Sequence, residues 1–183
     1  MNSMFRTPTL LAATAVTTSL LAACAGMGPM MTVPEVPSAL AVPAGNKVAF
    51  MYKGSGLLNY ECRAKADAPS EFSWVLASPD AALKDKNDAL VGKYYGGPTW
   101  EHADGSKVTG KQLAVSPAPT AGNIPWQLVQ ATPSAGSMTM NGVTYIQRVN
   151  TMAGVAPADP CTAAVVASKK QVRYSADYYF YKG

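Results

Sequence analysis

Eleven consecutive positions, Tyr94 to Asp104, carry two phenols (Tyr94, Tyr95), an indole (Trp100), two carboxylates (Glu101, Asp104) and the chain's single imidazole, His102, around Gly96-Gly97-Pro98. Loops that hold binding sites bring such groups together. Exposed aromatic faces stack on the apolar faces of sugars, and Glu101 and Asp104 could orient hydroxyls. The same residues also read as structure: Trp100 filling a core, Glu101 capping or pairing, Asp104 forming an Asp-Gly-Ser turn. A glycoside hydrolase would need two carboxyls about 5–10 Å apart across the scissile bond. Glu101 and Asp104 are candidates for that pair, and Glu61 or Asp177 could equally be a partner in space. Arg148 stands apart, beside Gln147. A strand arginine can grip a carboxylate through two parallel bonds, or it can be tied to backbone carbonyls or a neighbouring acid.

Other chemistries find little support. There is no Gly-x-Ser-x-Gly elbow, no Gly-x-x-x-x-Gly-Lys-Ser/Thr phosphate loop and no His-Glu-x-x-His zinc helix. One histidine cannot build a Cys/His zinc cluster. Met27, Met30, Met31, Met138 and Met140 could offer thioethers to Cu(I), or simply be filler and the apolar face of a hairpin. No cofactor or metal is expected, and no catalytic residue is assigned. The formal net charge is +4, and removal of residues 1–23 takes away only Arg6, leaving about +3. The basic residues are scattered, with Lys169-Lys170 the only doublet. A nucleic-acid footprint is not supported.

Where the protein resides is read from Leu21-Ala22-Ala23-Cys24. These residues follow a charged start at Arg6 and an uncharged Leu/Ala/Thr-rich stretch, and they resemble a bacterial lipoprotein signal peptide with its lipobox. Threonines at 7, 9, 14, 17 and 18 dilute the stretch. A spanning helix wants roughly 20 strongly apolar residues. The resemblance implies cleavage before Cys24 and acylation of its thiol, by palmitate or a similar chain, and of its new amino group; the alternative is a secretory peptide cut near Ala23-Cys24-Ala25. Two or more acyl chains anchor stably. Ala25 in place of aspartate points to the outer membrane of the cell envelope. Residues 24–44, with Pro29, Pro34, Pro37 and Pro43, read as an extended tether, and 45–183 as one domain. Cys62 and Cys161 then remain in a compartment that permits disulfides and are expected to pair, with two buried free thiols as the alternative.

The elements that must position these groups are strands. Val48, Phe50 and Tyr52 alternate with other residues, as do Leu58, Tyr60 and Cys62, and Phe72, Trp74 and Leu76. Asn141-Gly142 predicts a two-residue type I′ hairpin with Met140 opposite Val143 and Met138 opposite Tyr145. Asp104-Gly105-Ser106 marks a turn into a strand over 107–115, and 171–181 forms a terminal strand with Val172, Tyr174, Tyr178 and Phe180 inward. Only 81–84 and 162–168 suggest a helical turn or two. The fold class is therefore all-β: a single antiparallel sandwich or barrel-like domain, the sandwich preferred, with long loops and at most one or two short helices.

An ordered series of segments carries a family resemblance. It runs through Tyr60-Glu61-Cys62, Trp74, Ser78-Pro79 and Gly92-Lys93-Tyr94-Tyr95-Gly96-Gly97-Pro98-Thr99-Trp100-Glu101. It continues through Asp104-Gly105-Ser106, Ile124-Pro125-Trp126, Gln147-Arg148-Val149-Asn150-Thr151, Ala156-Pro157-Ala158-Asp159-Pro160-Cys161 and Tyr178-Tyr179-Phe180-Tyr181. From about residue 36 onward the chain resembles the domain-of-unknown-function family numbered thirty-four fifty-five, small exported bacterial and fungal proteins with no established reaction. Members often have a His-Tyr pair where this chain has Tyr94-Tyr95, which argues against histidine chemistry there. The resemblance implies one domain and supports pairing of Cys62 with Cys161. The favoured expectation is a lipid-tethered, non-catalytic binding module for a glycan, another envelope component or a partner protein. The alternatives are a hydrolase using Glu101 or Asp104, and a structural or assembly lipoprotein with no small ligand.

Overall fold

Alternating apolar residues become strand through most of the domain. The computed structural model describes Met1 and residues 31–183, so the lipobox and Cys24 lie outside the described residues. Eight strands follow one another: β1 (Lys47–Ala64), β2 (Phe72–Lys84), β3 (Leu90–Tyr95), β4 (Thr99–His102), β5 (Lys107–Ser116), β6 (Trp126–Ala131), β7 (Val143–Ala153) and β8 (Lys169–Lys182). Each pairs antiparallel with the next, and β8 returns to β1, closing a barrel in simple chain order. The sandwich preferred from sequence gives way to the barrel. Local alternation is the same in both, and the choice is made by the ladder running from Lys47 opposite Lys182 to Glu61 opposite Lys169.

An eight-stranded barrel leaves an interior just wide enough for side chains to fill. Here one apolar cluster draws on every strand and packs within it, including Tyr52, Leu58, Leu83, Tyr94, Trp100, Val108, Val129, Ile146, Tyr178 and Phe180. Gly54 admits the Tyr178 ring: a Cβ at Gly54 would stand 2.5 Å from Tyr178 Cε2. Residues 81–84, read as a possible helical turn, belong to β2, with Ala81 and Leu83 buried inside. Pairing to β1 and β3 overrides their helix propensity. Of 162–168, only Ala163–Val165 is helical, as a single 3-10 turn.

The predicted hairpin at Asn141-Gly142 is not formed. β6 and β7 do pair, but the connection between them runs from 132 to 142. Gly142 has φ +70° while Asn141 has no positive φ, so the two left-handed residues of a type I′ turn are not there. The Asn141 side chain instead accepts the Met138 N–H at 3.1 Å, and Met140 turns inward to complete burial. Met138 stays at the surface, so the two thioethers do not converge.

A second apolar layer lies on the outside. Leu40, in the 3-10 turn Ser38–Leu40, is completely buried with Trp126, Leu128, Val149, Tyr179 and Tyr181, and Val33, Val36 and Val42 pack around them. Gln147 fixes this strap: its Nε2 donates to the Leu40 carbonyl at 2.6 Å and its Oε1 accepts the Tyr181 hydroxyl at 2.5 Å. The part of the expected tether from 33 to 42 therefore lies against the barrel wall. At the other end of the barrel, Cys62 and Cys161 form the expected disulfide and hold the 154–168 connection to β1, with Trp74 Nε1 donating to the Asp159 carbonyl at 2.8 Å.

Candidate functional site

The period of two in β3 and β4 divides the predicted aromatic and acidic cluster between two faces. Tyr94 and Trp100 point into the barrel, where their rings stack with centroids 4.6 Å apart. Trp100 is 1% exposed and also meets Tyr178 and Phe180 edge-on. Its ring is core and offers no face to a ligand. The preceding turn explains why the segment is so rich in signals: Gly97 takes φ +71°, and the Thr99 hydroxyl donates to the Gly96 or Gly97 carbonyl at 3.3 and 3.2 Å.

Tyr95 and Glu101 face outward together. Glu101 Oε2 accepts the Tyr95 hydroxyl at 2.7 Å and lies 3.3 Å from Lys107 Nζ and 3.7 Å from Lys93 Nζ. The Tyr95 hydrogen bond, with Lys107 and Lys93 behind it, holds the Glu101 carboxyl below the usual range. His102 stacks on Tyr52 with centroids 6.0 Å apart, and its Nδ1 accepts the Asp104 backbone N–H at 3.2 Å. Asp104 is a clamp. Its Oδ1 accepts the Ser106 N–H at 2.8 Å and the Ser106 hydroxyl at 2.6 Å, and its Oδ2 accepts the Thr139 N–H at 2.9 Å. Those donors, Ser106 first, hold its carboxyl well below the usual range. Ser106 Oγ in turn accepts the Met140 N–H at 3.0 Å, seating the 132–142 loop over the barrel end.

Neither carboxyl suits general acid work, which wants one group held up near neutrality while its partner stays ionised. Glu61 is likewise lowered, by its hydrogen bond to Arg63. Asp177 accepts a hydrogen bond from Asn150 at 2.8 Å on the outside of β8. Arg148 lies on the opposite side of the wall from these outward carboxyls: it points into the barrel from β7, 9% exposed, and donates to the Pro125 carbonyl at 2.9 Å.

What the outer faces of β2, β3 and β4 do build is a groove of about 520 Å3. Its walls include Asp80, Ala82, Leu90, Gly92, Lys93, Glu101 and His102. Ala82 and Gly92 make the floor low, and Leu90 on the rim is 68% exposed. A Cβ at Gly92 would collide with the Glu101 carbonyl oxygen, so glycine there is a requirement of the β3–β4 pairing. Of the predicted residues, Glu101 and His102 line this groove, while Tyr94, Tyr95, Trp100, Asp104 and Arg148 do not. Asp80, Ala82, Leu90, Gly92 and Lys93 were missed; the available signal was a glycine in a strand interior beside an exposed lysine, which marks close backbone approach.

Residues 43–182 match the family described as Protein of unknown function (DUF3455). No curated protein and no solved structure matches the chain.

Proposed function

From the premise that the chain belongs to the DUF3455 family, a membership that carries no reaction with it, we propose that this protein is a non-catalytic binding module of the bacterial cell envelope, lipid-anchored through Cys24 to the outer membrane, and that it holds a hydroxyl-rich ligand such as a glycan in the groove over β2, β3 and β4. The groove itself carries the reading. A floor of Ala82 and Gly92 lets a ring approach the backbone, Leu90 gives an apolar contact, and Asp80, Lys93 and Glu101 offer acceptors and donors around it. Mixed charge and small floor residues suit a neutral or weakly charged polyol better than a strongly anionic polymer. The low carboxyl affinities for protons at Glu101 and Asp104 favour binding over hydrolysis.

Titration calorimetry against peptidoglycan fragments and neutral and acidic oligosaccharides tests this reading. Ala82→Leu, which raises the floor, and Lys93→Ala, which removes a rim donor, should each weaken binding at least tenfold with the fold intact. Binding that survives both removes the groove from consideration. No binding across the panel shifts the reading to a protein contact. The anchor is tested separately: an alkyne-palmitate label should enter the wild type and be lost in Cys24→Ser.

A further inference from the structure

One region of the barrel interior is polar. Around Arg148 stand the phenols of Tyr60, Tyr94, Tyr174 and Tyr178, and the guanidinium charge is felt at all four. Arg148 is directly opposite Tyr178 in the β7–β8 ladder. A buried cation is costly unless it is paired and hydrogen-bonded. Yet Arg148 forms no ion pair with any carboxylate among the described residues. Asp80, whose charge reaches Tyr174, stands exposed on β2. Nor are the phenols counter-ions: burial raises all four, so they stay protonated.

Two donors in this region are buried without a partner, Arg148 Nε and Trp100 Nε1. Both border Tyr178, Trp100 through a ring contact of 5.8 Å and Arg148 across the ladder. Hydroxyl protons are close by, because Tyr174 and Tyr178 share a hydrogen bond of 3.2 Å, while the Tyr60 hydroxyl donates a hydrogen bond to the Gly154 carbonyl at 2.7 Å. The barrel wall bulges next to this cluster. The β7–β8 register shifts between Val149 and Met152, with Asn150 at φ 49° and Ala153 at φ 55°. A surface pocket of about 500 Å3 lies at the bulge, lined by Ser55, Met152, Ala153, Arg173 and Tyr174 among others, which places a second cation beside it.

We propose that the Arg148 end of the barrel interior binds a compact monovalent anion, a halide or a small carboxylate, held by Arg148 Nε with Trp100 Nε1 and the Tyr174/Tyr178 hydroxyls, beside the bulge between β7 and β8. The anion supplies the charge that the protein itself does not, and it stabilises the closed barrel by binding only the native state.

The probes are sodium bromide and sodium formate, titrated into the full-length protein in detergent at constant ionic strength against gluconate. The melting temperature should rise by several degrees and saturate in the millimolar range with at least one of them; the stronger of the two identifies the occupant as halide or carboxylate. Arg148→Met, which removes the charge and keeps an apolar stem, should melt at a temperature independent of the anion. Equal melting in all three salts, or an anion effect that persists in Arg148→Met, overturns the proposal. If that variant does not fold, bromide-soaked wild-type crystals decide: an anomalous peak beside the Arg148 guanidinium supports the site, and no peak there refutes it.

Discussion

The Thr139 backbone N–H donates to Asp104 Oδ2 at 2.9 Å, joining two loops 35 residues apart in the chain at one end of the barrel. With the Ser106 bonds to the other oxygen, this leaves Asp104 an acceptor on both sides, and it is the ionised form that all these donors favour. A residue that looks in sequence like half of a catalytic pair is the fastener of a lid made of ordinary loop.

Asp104→Asn should lower the melting temperature by several degrees at neutral pH, because an amide cannot accept on both sides. The pH dependence has a definite sign. The folded carboxyl is held low, so its stabilisation is fully present above the unfolded value of about 3.9 and is lost as pH falls toward the folded one. Melts followed by circular dichroism from pH 7 to pH 2 should show wild type and Asp104→Asn converging below about pH 4. A gap that stays constant into acid would mean the charge of Asp104 is irrelevant.

Trp100→Ala should cost about 3–5 kcal/mol in urea unfolding, the range for emptying a large buried ring. Tyr95→Phe, which removes only one half-exposed hydrogen bond to Glu101, should cost no more than about 1 kcal/mol. Near-equal losses would contradict the division of this motif between an inner and an outer face.

Reducing the Cys62–Cys161 disulfide releases a constraint across a sequence separation of 99 residues. The expected loss is about 2–5 kcal/mol, read as a shift of the guanidinium midpoint on adding a thiol reductant. Hydrogen exchange should quicken first in the 154–168 connection. A midpoint indifferent to reductant would show that native packing alone holds that connection.

Leu40→Ala should destabilise by about 2–5 kcal/mol, since the side chain is wholly buried under the strap. Gln147→Leu keeps the volume but leaves the Leu40 carbonyl and Tyr181 hydroxyl without their partner, at about 1–3 kcal/mol. Exchange protection of the Tyr179 and Tyr181 amides should fall in neither variant, because β8 stays paired to β1 and β7; a loss of protection there would show that the strap holds the wall itself.

Strand content was legible because alternation is local: Tyr174, Tyr178 and Phe180 sit inside as their spacing requires, and Cys62 meets Cys161. The face of each residue near Trp100 was also legible in principle, since Trp100 and Glu101 must point oppositely on a strand. Closure was not, because it depends on the register between the first and last strands. The Asn141-Gly142 turn misled because tertiary hydrogen bonds at Thr139 and Met140 outcompete the local preference for a hairpin. The groove was hidden for a related reason: Ala82 and Lys93 become neighbours only through the β2–β3 ladder.

The β1–β8 ladder also sets the order of events by which the chain acquires its shape. β1 is the first strand to exist and β8 the last, and along most of its length β1 depends on β8 for one of its two neighbours. A polypeptide emerging from its N-terminal end must carry β1 half-paired until more than a hundred further residues have followed. Search for so distant a partner is slow, typically milliseconds to seconds for topologies dominated by non-local pairing. Closure of the ring therefore waits for β8, and a chain halted before Lys169 has no ring to close.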